Sequence, residues 1–422
     1  MDMLRIATAG SVDDGKSTLI GRLLYDSKAI YQDVLDSAEQ HSKRQSTEYF
    51  NLALLTDGLR SEREQGITID VAYRYFSTPK RKFILADTPG HVQYTRNMVT
   101  GASTADIALI IVDARNGVVE QSRRHALIGA LLGIKHFVFC INKMDLVDFR
   151  EDIFRPIQDE LHELLIELGI KSHHFIPISA IDGDNVVHYS KRMPWYVEDP
   201  LVKHLEEVQF NDEIADMPFR MPVQYVIRPL SNELHDYRGY AGTIESGQIE
   251  VGQQIAVMPF GTEARITDIE RPNGAVSSAS ESDAVTIRIA GDLDISRGDM
   301  FSSPNEKPAI DNQFEATVCW MSEKISLTAG SMLRIKHTTH TARALITGVE
   351  FKIDVNDLSE RLMSEELVMN EIGQVSMKTT EPLIFDAYVD NRATGSFILI
   401  DVSTNETVGA GMIGRPGCFT TV

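Results

Sequence analysis

A glycine-rich loop near the start of the chain has the residue types needed to hold phosphate groups. Residues 10–17 read Gly-Ser-Val-Asp-Asp-Gly-Lys-Ser, between a predicted strand (4–9) and a predicted amphipathic helix (16–25). A strand that turns directly into a helix points backbone N–H groups into one concavity, where the helix dipole favours negative charge. In this pattern Lys16 reaches the β- and γ-phosphates and the Ser17 hydroxyl holds Mg²⁺. The residues predicted to contact the nucleotide here are Gly10, Ser11, Val12, Asp13, Asp14, Gly15, Lys16, Ser17 and Thr18.

A second polar segment follows the predicted strand 83–87. The strand ends in Asp87, and a carboxylate in this position beside a phosphate loop suits a metal-bound water. The backbone N–H of Gly90 can be donated to a γ-phosphate. We therefore predict that Asp87, Thr88, Pro89, Gly90 and His91 belong to the nucleotide site, with Asp87 on the metal side.

A third segment has the residue types that read guanine. Asn142, Lys143, Met144 and Asp145 come directly after an apolar run predicted as the strand 137–142. A carboxylate at Asp145 accepts hydrogen bonds from the N1–H and 2-amino groups of guanine, which adenine lacks. Lys143 can lie over the base, and Asn142 can tie this loop to the phosphate loop. The segment predicts a site for GTP rather than ATP.

A fourth segment, Ser179-Ala180, follows the predicted strand 174–178 and can present backbone N–H groups to guanine O6. Four such motifs, in this order and on successive strands, predict a GTP-hydrolysing protein with GTP and Mg²⁺ as its ligands.

These motifs need a scaffold in which the ends of the strands meet. Up to about residue 210, apolar runs alternate with helical periods; the strands are predicted near 4–9, 83–87, 107–113, 137–142 and 174–178, and the helices near 16–25, 92–101, 121–132 and 152–168. This alternation predicts an α/β domain with a mainly parallel sheet and helices on both faces. Such sheets bind ligands at the carboxyl ends of their strands, where all four motifs fall.

The pattern changes after Pro218 to short segments rich in Val, Ile and Thr, separated by Gly and Asn turns. A polar, proline-containing link near 304–312 divides these segments into two groups. They predict two all-β barrel domains. We expect a GTP-binding domain at 1–212, a first barrel at 213–307 and a second barrel at 308–422.

Composition limits the classes of protein that fit. The formal net charge of −20 argues against a general nucleic-acid binder, because such proteins usually present a basic face. Cys140, Cys319 and Cys418 form no CxxC pair, which indicates a reducing compartment. No apolar stretch approaches the ~20 residues that span a bilayer. We expect a cytoplasmic protein without membrane contact.

Two histidine pairs lie outside these motifs. His337 and His340 are three residues apart, and on a single strand their side chains would point to opposite faces. We therefore expect no metal site there. His173 and His174 are predicted to face solvent in a loop before a strand.

Taken together, the motifs at 10–17, 66–68, 87–91 and 142–145, followed by two β barrels, resemble the translational GTPases such as elongation factor Tu. The chain is more similar to one branch, the GTPase subunit of heterodimeric bacterial sulfate adenylyltransferase. Translation factors usually carry histidine where this chain has Asp14. The runs 62–76, 179–185 and 238–242 also resemble that subunit.

The resemblance implies roles for individual residues. Thr68 matches the threonine that meets Mg²⁺ and the γ-phosphate when GTP is bound, and His91 matches the histidine that orients the attacking water. Val12 and Ile67 match the apolar pair that keeps this histidine away before activation. We therefore expect His91, Thr68 and Lys16 to be catalytic, and Ser17, Thr68 and Asp87 to surround Mg²⁺.

The resemblance also implies partners. A smaller subunit would bind ATP and sulfate and form adenylylsulfate and pyrophosphate, an uphill reaction that GTP hydrolysis in this chain would drive. The two subunits would form a heterodimer, and an adenylylsulfate kinase, fused or separate, would be a further partner. No second phosphate loop occurs in these residues.

The main alternative is a translation-factor-type carrier of aminoacyl-tRNA, which shares every GTP motif. Asp14 and the segment 60–76 favour the sulfate-activating branch, whereas the net charge does not decide between the two. A purely regulatory switch would give no clear reason for two barrels.

Overall fold

The computed structural model describes residues 3–28, 52, 70–209, 217–229, 237–354 and 361–415. The chain divides into two compact units, one mainly up to Val208 and one mainly from Gln209 onward. The predictions for Thr68 and Ile67 lie outside the described residues, and the domain limits at 212 and 307 stay predictions.

The first unit is an α/β layer structure, as predicted. Its strands are β1 (Met3–Gly10), β2 (Ala72–Ser77), β3 (Lys82–Asp87), β4 (Ile107–Asp113), β5 (His136–Asn142) and β6 (Ser172–Pro177). They form one sheet in the order β2-β3-β1-β4-β5-β6, in which only β2 runs antiparallel to its neighbour. Every residue of the central strand β4 is buried, because helices cover both faces of a parallel sheet.

The described helices of this unit are α1 (Lys16–Asp26), α2 (Thr95–Ala102), α3 (Glu120–Leu131), α4 (Glu151–Glu167) and α5 (Leu201–Glu207). Short 3₁₀ turns cover Val92–Tyr94 and Met144–Val147. The helix predicted at 92–101 begins later than expected, because Tyr94 N–H bonds the carbonyl of His91 in a tighter turn. None of the helices in the described ranges is long and apolar enough to cross a membrane.

Register places the chemistry-bearing strand ends at one edge. In β1 and β3, Thr8 pairs with Asp87, and in β4 and β5, Asp113 pairs with Asn142. Because these strands are parallel, the loops after β1, β3, β5 and β6 leave the sheet on the same side. The four predicted motifs therefore meet.

The second unit is built from antiparallel strands. Its first group is β7 (Arg220–Pro222), β8 (Tyr225–Ile227), β9 (Gly239–Thr243), β10 (Gln248–Glu250), β11 (Gln254–Met258), β12 (Thr262–Arg271), β13 (Gly274–Val276), β14 (Ser278–Ser280), β15 (Ala284–Ile289) and β16 (Met300–Ser302). Its main sheet has the order β7-β16-β11-β12-β15-β9-β8. The sheet encloses its own core, which includes Tyr240, Ile255 and Phe301.

The second group is β17 (Ala309–Trp320), β18 (Leu327–Thr328), β19 (Met332–His337), β20 (His340–Ile353), β21 (Arg361–Leu362), β22 (Glu366–Leu367), β23 (Ile372–Phe385), β24 (Ser396–Ile400) and β25 (Thr407–Ile413). Six of these strands close on themselves in the order β19-β24-β25-β17-β23-β20, with β20 pairing back to β19. This barrel has a separate core around Trp320 and Ile335. The predicted fold class is confirmed.

A buried ion pair joins the two β groups of this unit. The Arg220 guanidinium donates from Nε to Asp386 Oδ2 at 2.9 Å and from Nη2 to Oδ1 at 2.8 Å. The Asn391 side-chain amide also donates to Ser246 Oγ at 3.0 Å. A bidentate guanidinium–carboxylate pair fixes orientation as well as distance, so these contacts set how the two β groups pack.

The single-strand geometry assumed for the first histidine pair and the solvent-facing loop predicted for the second are both wrong. His337 ends β19, His340 begins β20, and the two residues face each other across a two-residue turn, so their side chains share one face of the barrel wall. His337 donates from Nε2 to the Thr394 carbonyl at 2.7 Å. His173 and His174 lie within β6 and are half-buried.

Candidate functional site

The phosphate loop is shaped by Gly15 and ends in Lys16. Gly15 has a φ of 93°, in the left-handed region, and a Cβ there would collide with the side-chain amide of Asn142. Lys16 is the first residue of α1 and is buried. Its ammonium group forms an ion pair with the carboxylate of Asp87. The loop thus brings a buried cation to the edge of the sheet where a phosphate would bind.

The segment after β3 runs directly along this loop. The Thr88 hydroxyl donates to the Thr8 carbonyl at 2.7 Å, which fixes the segment to β1. A Cβ on Gly90 would collide with the carbonyl oxygen of Gly10. Only glycine permits this close approach of two backbones, so Gly90 lies against the phosphate loop, and its bond to a γ-phosphate stays a prediction.

Asn142 joins three loops. Its Nδ2 donates to the Asp14 carbonyl at 2.8 Å, and its Oδ1 accepts from the Ala180 N–H at 3.0 Å. The tie to the phosphate loop expected from the sequence is present, and the same side chain also holds the loop after β6. Both bonds are buried, so losing either partner would leave an unsatisfied polar group.

Lys143 is held by a residue that the sequence analysis missed. Its Nζ lies 2.7 Å from Asp113 Oδ2 and also contacts the Asp13 carbonyl of the phosphate loop. Asp113 also accepts from the Arg115 guanidinium, at 2.6 Å. Burial raises the pKa of Asp113, but the bonds from Arg115 and Lys143 outweigh it and lower the pKa to about 2. The carboxylate is therefore ionised at neutral pH.

Asp14 faces into the protein rather than toward solvent. The side chain is buried, and Oδ2 accepts from the Ser11 N–H at 2.8 Å. Burial raises its pKa, and the nearby Asp113 adds to that shift, although the Ser11 bond opposes it. Asp14 thus stabilises the phosphate loop through a hydrogen bond between two of the loop's own residues.

The remaining predicted residues lie at the same edge with different exposure. Met144, Ser179 and Ala180 are buried, Ser17, Thr18 and Asp145 are half-buried, and Val12 and Asp13 are exposed. Thr68 lies outside the described residues, so the predicted Mg²⁺ ligands are represented by Ser17 and Asp87. Across the part of the chain that the structure describes, no group of three or more His, Cys, Asp or Glu side chains could hold a metal. The predicted ligand set contains a single carboxylate beside hydroxyl groups, so it fits Mg²⁺ only together with phosphate oxygens and water.

His91 and a second histidine line the same small pocket beside Gly90. His91 is half-buried, and its Nδ1 accepts from the Gln93 N–H at 3.3 Å. His125, on α3, is buried and lines this pocket together with Gly90. Burial lowers its pKa to about 4, so the ring is neutral at pH 7. The sequence carries no signal for His125, since it lies in the middle of an ordinary helical pattern.

Comparison with known proteins identifies three regions of the chain. Residues 1–226 match the Elongation factor Tu GTP binding domain, residues 240–302 match Elongation factor Tu domain 2, and residues 313–414 match the GTP-eEF1A C-terminal domain-like family. The first match covers more than half of the chain and contains all four motifs.

Relatives that match almost the whole of this chain identify its family more specifically. The chain is 54% identical over 413 residues to the "Bifunctional enzyme CysN/CysC" of Mycobacterium tuberculosis, covering 98% of this chain and 67% of that protein. It is 50% identical to "Sulfate adenylyltransferase subunit 1" of Aeromonas hydrophila, covering 97% of this chain and 86% of the relative. The same name and identity apply to a relative from Shewanella woodyi, with 98% and 87% covered. These findings favour the sulfate-activating branch over the translation factors. The chain therefore belongs to the sulfate adenylyltransferase subunit 1 family and has a GTP-binding domain of the elongation factor Tu type.

Proposed function

We propose that this chain binds GTP with Mg²⁺, hydrolyses it, and couples the hydrolysis to sulfate activation by a partner subunit. The partner would form adenylylsulfate and pyrophosphate from ATP and sulfate. The observation that carries the proposal is the meeting of the phosphate loop, the Asp87 segment and the Asn142–Asp145 loop at one edge of the sheet. Family membership at about half identity adds the sulfate-activating context.

At the phosphate end of the proposed site, Lys16 could change its anionic partner when a nucleotide binds. Lys16 is paired with Asp87, so a β- or γ-phosphate would replace one anionic partner with another. Asp87 would then be free to face a metal-bound water, with Ser17 and Thr68 as the nearby hydroxyl ligands. Bound Mg²⁺ would neutralise charge on the β- and γ-phosphate oxygens.

The base end would select guanine. Asp145 is half-buried. It lies in the loop in which Lys143 has a φ of 64° and which Asn142 ties to the phosphate loop. Its carboxylate would accept from N1–H and the 2-amino group, and the Ala180 region would face O6. A site built around an acceptor for these donors rejects adenine, because adenine would leave the Asp145 carboxylate without these two hydrogen bonds.

His91 would orient the water that attacks the γ-phosphorus, as GDP leaves with the bonding electrons. It directly follows Gly90, whose backbone lies against the phosphate loop, and this position in the chain supports the assignment. Orienting water lowers the barrier without tightening the binding of GTP. In switch GTPases the intrinsic rate can be as low as ~10⁻⁴ s⁻¹, and completion of the site by a partner raises it ~10³–10⁵-fold. We therefore expect slow hydrolysis by the chain alone.

In the proposed coupling, the free energy of GTP hydrolysis drives the formation of adenylylsulfate. Hydrolysis of GTP releases several kcal/mol, and each 1.4 kcal/mol transferred shifts an equilibrium about tenfold. An adenylylsulfate kinase, fused or separate, would consume the product. We place this system in the cytoplasm, in keeping with the free, buried thiols of Cys140 and Cys319.

The proposal is tested by recovering the tagged chain from an extract of its own cells, with GTP present. We expect a smaller ATP-binding subunit in the eluate, and faster GTP turnover when that subunit is added back to the purified chain. A Lys16→Ala chain serves as the control for nucleotide-dependent recovery. Recovery of aminoacyl-tRNA, without such a subunit, would contradict the proposal and favour a carrier in translation.

A further inference from the structure

The buried carboxylate at the end of the central strand has no role in the proposal above. Asp113 is the last residue of β4 and pairs in register with Asn142, the last residue of β5, where the Asn142–Asp145 loop begins. Its side chain is 1% exposed. A buried carboxylate is costly unless cations and hydrogen bonds surround it, so the identity of its partners is informative.

Those partners divide between a structural one and a functional one. On the structural side, Asp113 Oδ1 accepts from the backbone N–H of Arg115 at 2.9 Å and from its Nε at 3.0 Å. Arg115 is 47% exposed, so this pair is largely screened by solvent. On the functional side, Oδ2 accepts from Lys143 Nζ at 2.7 Å, and Lys143 is only 18% exposed. The ion pair between Asp113 and Lys143 is therefore the less screened of the two.

Lys143 needs such a restraint. Its backbone has a φ of 64°, in the left-handed region, which is unfavourable for a residue with a side chain. Its long side chain would lose substantial rotamer entropy on binding a ligand if it were free beforehand. Contacts with Asp113 and with the Asp13 carbonyl hold the ammonium group at a fixed point between the phosphate loop and β4.

We propose that Asp113 is a positioning residue for guanine-nucleotide binding, which acts by fixing Lys143 before the nucleotide arrives. The inference rests on the proposed GTP site and deepens it. Asp113 touches no part of the nucleotide in this account. Its effect on affinity passes entirely through Lys143, because preorganisation lowers the ordering cost of binding.

The test is a double-mutant cycle on the full chain, with the dissociation rate of a fluorescent GDP analogue as the readout. Asp113→Asn keeps the shape and one acceptor for the Arg115 N–H but removes the charge. We expect dissociation about tenfold faster, the change that 1.4 kcal/mol produces. In a Lys143→Ala background the same substitution should change the rate less than about twofold, since coupled residues are not additive.

Two matched variants keep the result clear. Arg115→Ala removes the exposed partner of Asp113 and should leave the rate within about twofold of the parent, as expected for a screened pair. Asp113→Ser provides a second, smaller replacement if the asparagine variant unfolds at the assay temperature, and thermal unfolding of each variant is measured alongside.

The outcomes separate the two proposals. An unchanged rate for a folded Asp113→Asn chain, or an equal acceleration in the parent and Lys143→Ala backgrounds, would overturn the positioning role. Parent protein that binds no GDP analogue, or binds it equally well after Lys16→Ala, would instead overturn the nucleotide site on which the inference rests.

Discussion

The ammonium group of Lys16 and the carboxylate of Asp87 form an ion pair in which both side chains are nearly inaccessible to solvent. The two residues are 71 positions apart, and parallel pairing of β1 with β3 brings them together. The pair links the residue expected to hold phosphate with the residue expected to face the metal. This contact would connect the proposed binding of phosphate with the proposed binding of the metal.

The first prediction concerns that lysine. Lys16→Ala should abolish tight GTP binding, because a charge-assisted contact of this kind contributes ~1.5–3 kcal/mol. Equilibrium titration with a fluorescent GTP analogue measures the change. Lys80→Ala is the matched control, since the Lys80 side chain is more than half exposed and pairs with Glu206 and Glu207. A loss of less than about tenfold, equal to 1.4 kcal/mol, would count against the loop as the phosphate site.

The second prediction concerns the base. Asp145→Asn should shift preference from GTP toward xanthosine triphosphate, because xanthine has a carbonyl at C2 where guanine has an amino donor. Competition of the two triphosphates against a bound fluorescent nucleotide gives the ratio. Asp148→Asn changes an exposed carboxylate three residues away and should leave the ratio unaltered. If the Asp145 variant keeps parental GTP affinity and gains nothing for the xanthine nucleotide, the assignment is wrong.

The third prediction concerns hydrolysis. His91→Ala should remove the partner-stimulated rate and leave GTP affinity nearly intact, because orienting water is a transition-state role. Single-turnover phosphate release with and without the partner measures the first, and nucleotide titration measures the second. His162→Ala changes a histidine that contacts His173 instead, and should behave like the parent. Full stimulated turnover in the His91 variant would refute its role.

The fourth prediction concerns acid stability of the first unit. His204 stacks on His174 with ring centroids 4.1 Å apart. Burial, with His174 nearby, lowers the pKa of His204 from 6.5 to about 4, so the folded state favours the neutral ring. The stability that depends on this neutrality is present above pH 6.5 and is lost as pH falls toward 4. One such shift corresponds to at most about 3 kcal/mol.

Amide hydrogen exchange in β6 and α5 of the full chain, compared at neutral and mildly acidic pH after correction for intrinsic rates, measures this loss. His204→Gln should reduce the pH dependence, whereas the exposed His188→Gln should not. Equal pH dependence in the parent and the His204 variant would show that the stacked pair is not the cause.

The sequence was sufficient to predict the elements and loops that local residue patterns determine. The strand–loop–helix motifs around Lys16, Asp87 and Asn142 specify both their own elements and the common edge, because parallel strands must place their carboxyl ends together. Asp113 and His125 could not be found in this way. Asp113 contacts Lys143, 30 residues away, and His125 shares a pocket with Gly90, 35 residues away, and only the packed structure brings these residues together.

The histidine pairs show a second limit. The spacing of His337 and His340 is the same whether they lie on one strand or on either side of a tight turn. On a strand they point apart, and across the turn they become neighbours. The choice depends on where the hairpin closes, and Thr338-Thr339 lacks the Asn-Gly or Gly residues that usually mark such a turn.

The central claim is that GTP hydrolysis in this chain drives adenylylsulfate formation, and it is tested most directly by the yield of that product. The complex of this chain with its partner receives ATP and radiolabelled sulfate, together with GTP, a non-hydrolysable GTP analogue or neither. We predict that only GTP raises the yield beyond the ATP-only equilibrium, since a ligand that is merely bound cannot shift the equilibrium of a catalysed reaction. Thr68→Ala should lose the increase, because the chain would no longer sense the γ-phosphate through Mg²⁺. Equal yields under all three conditions would contradict the account.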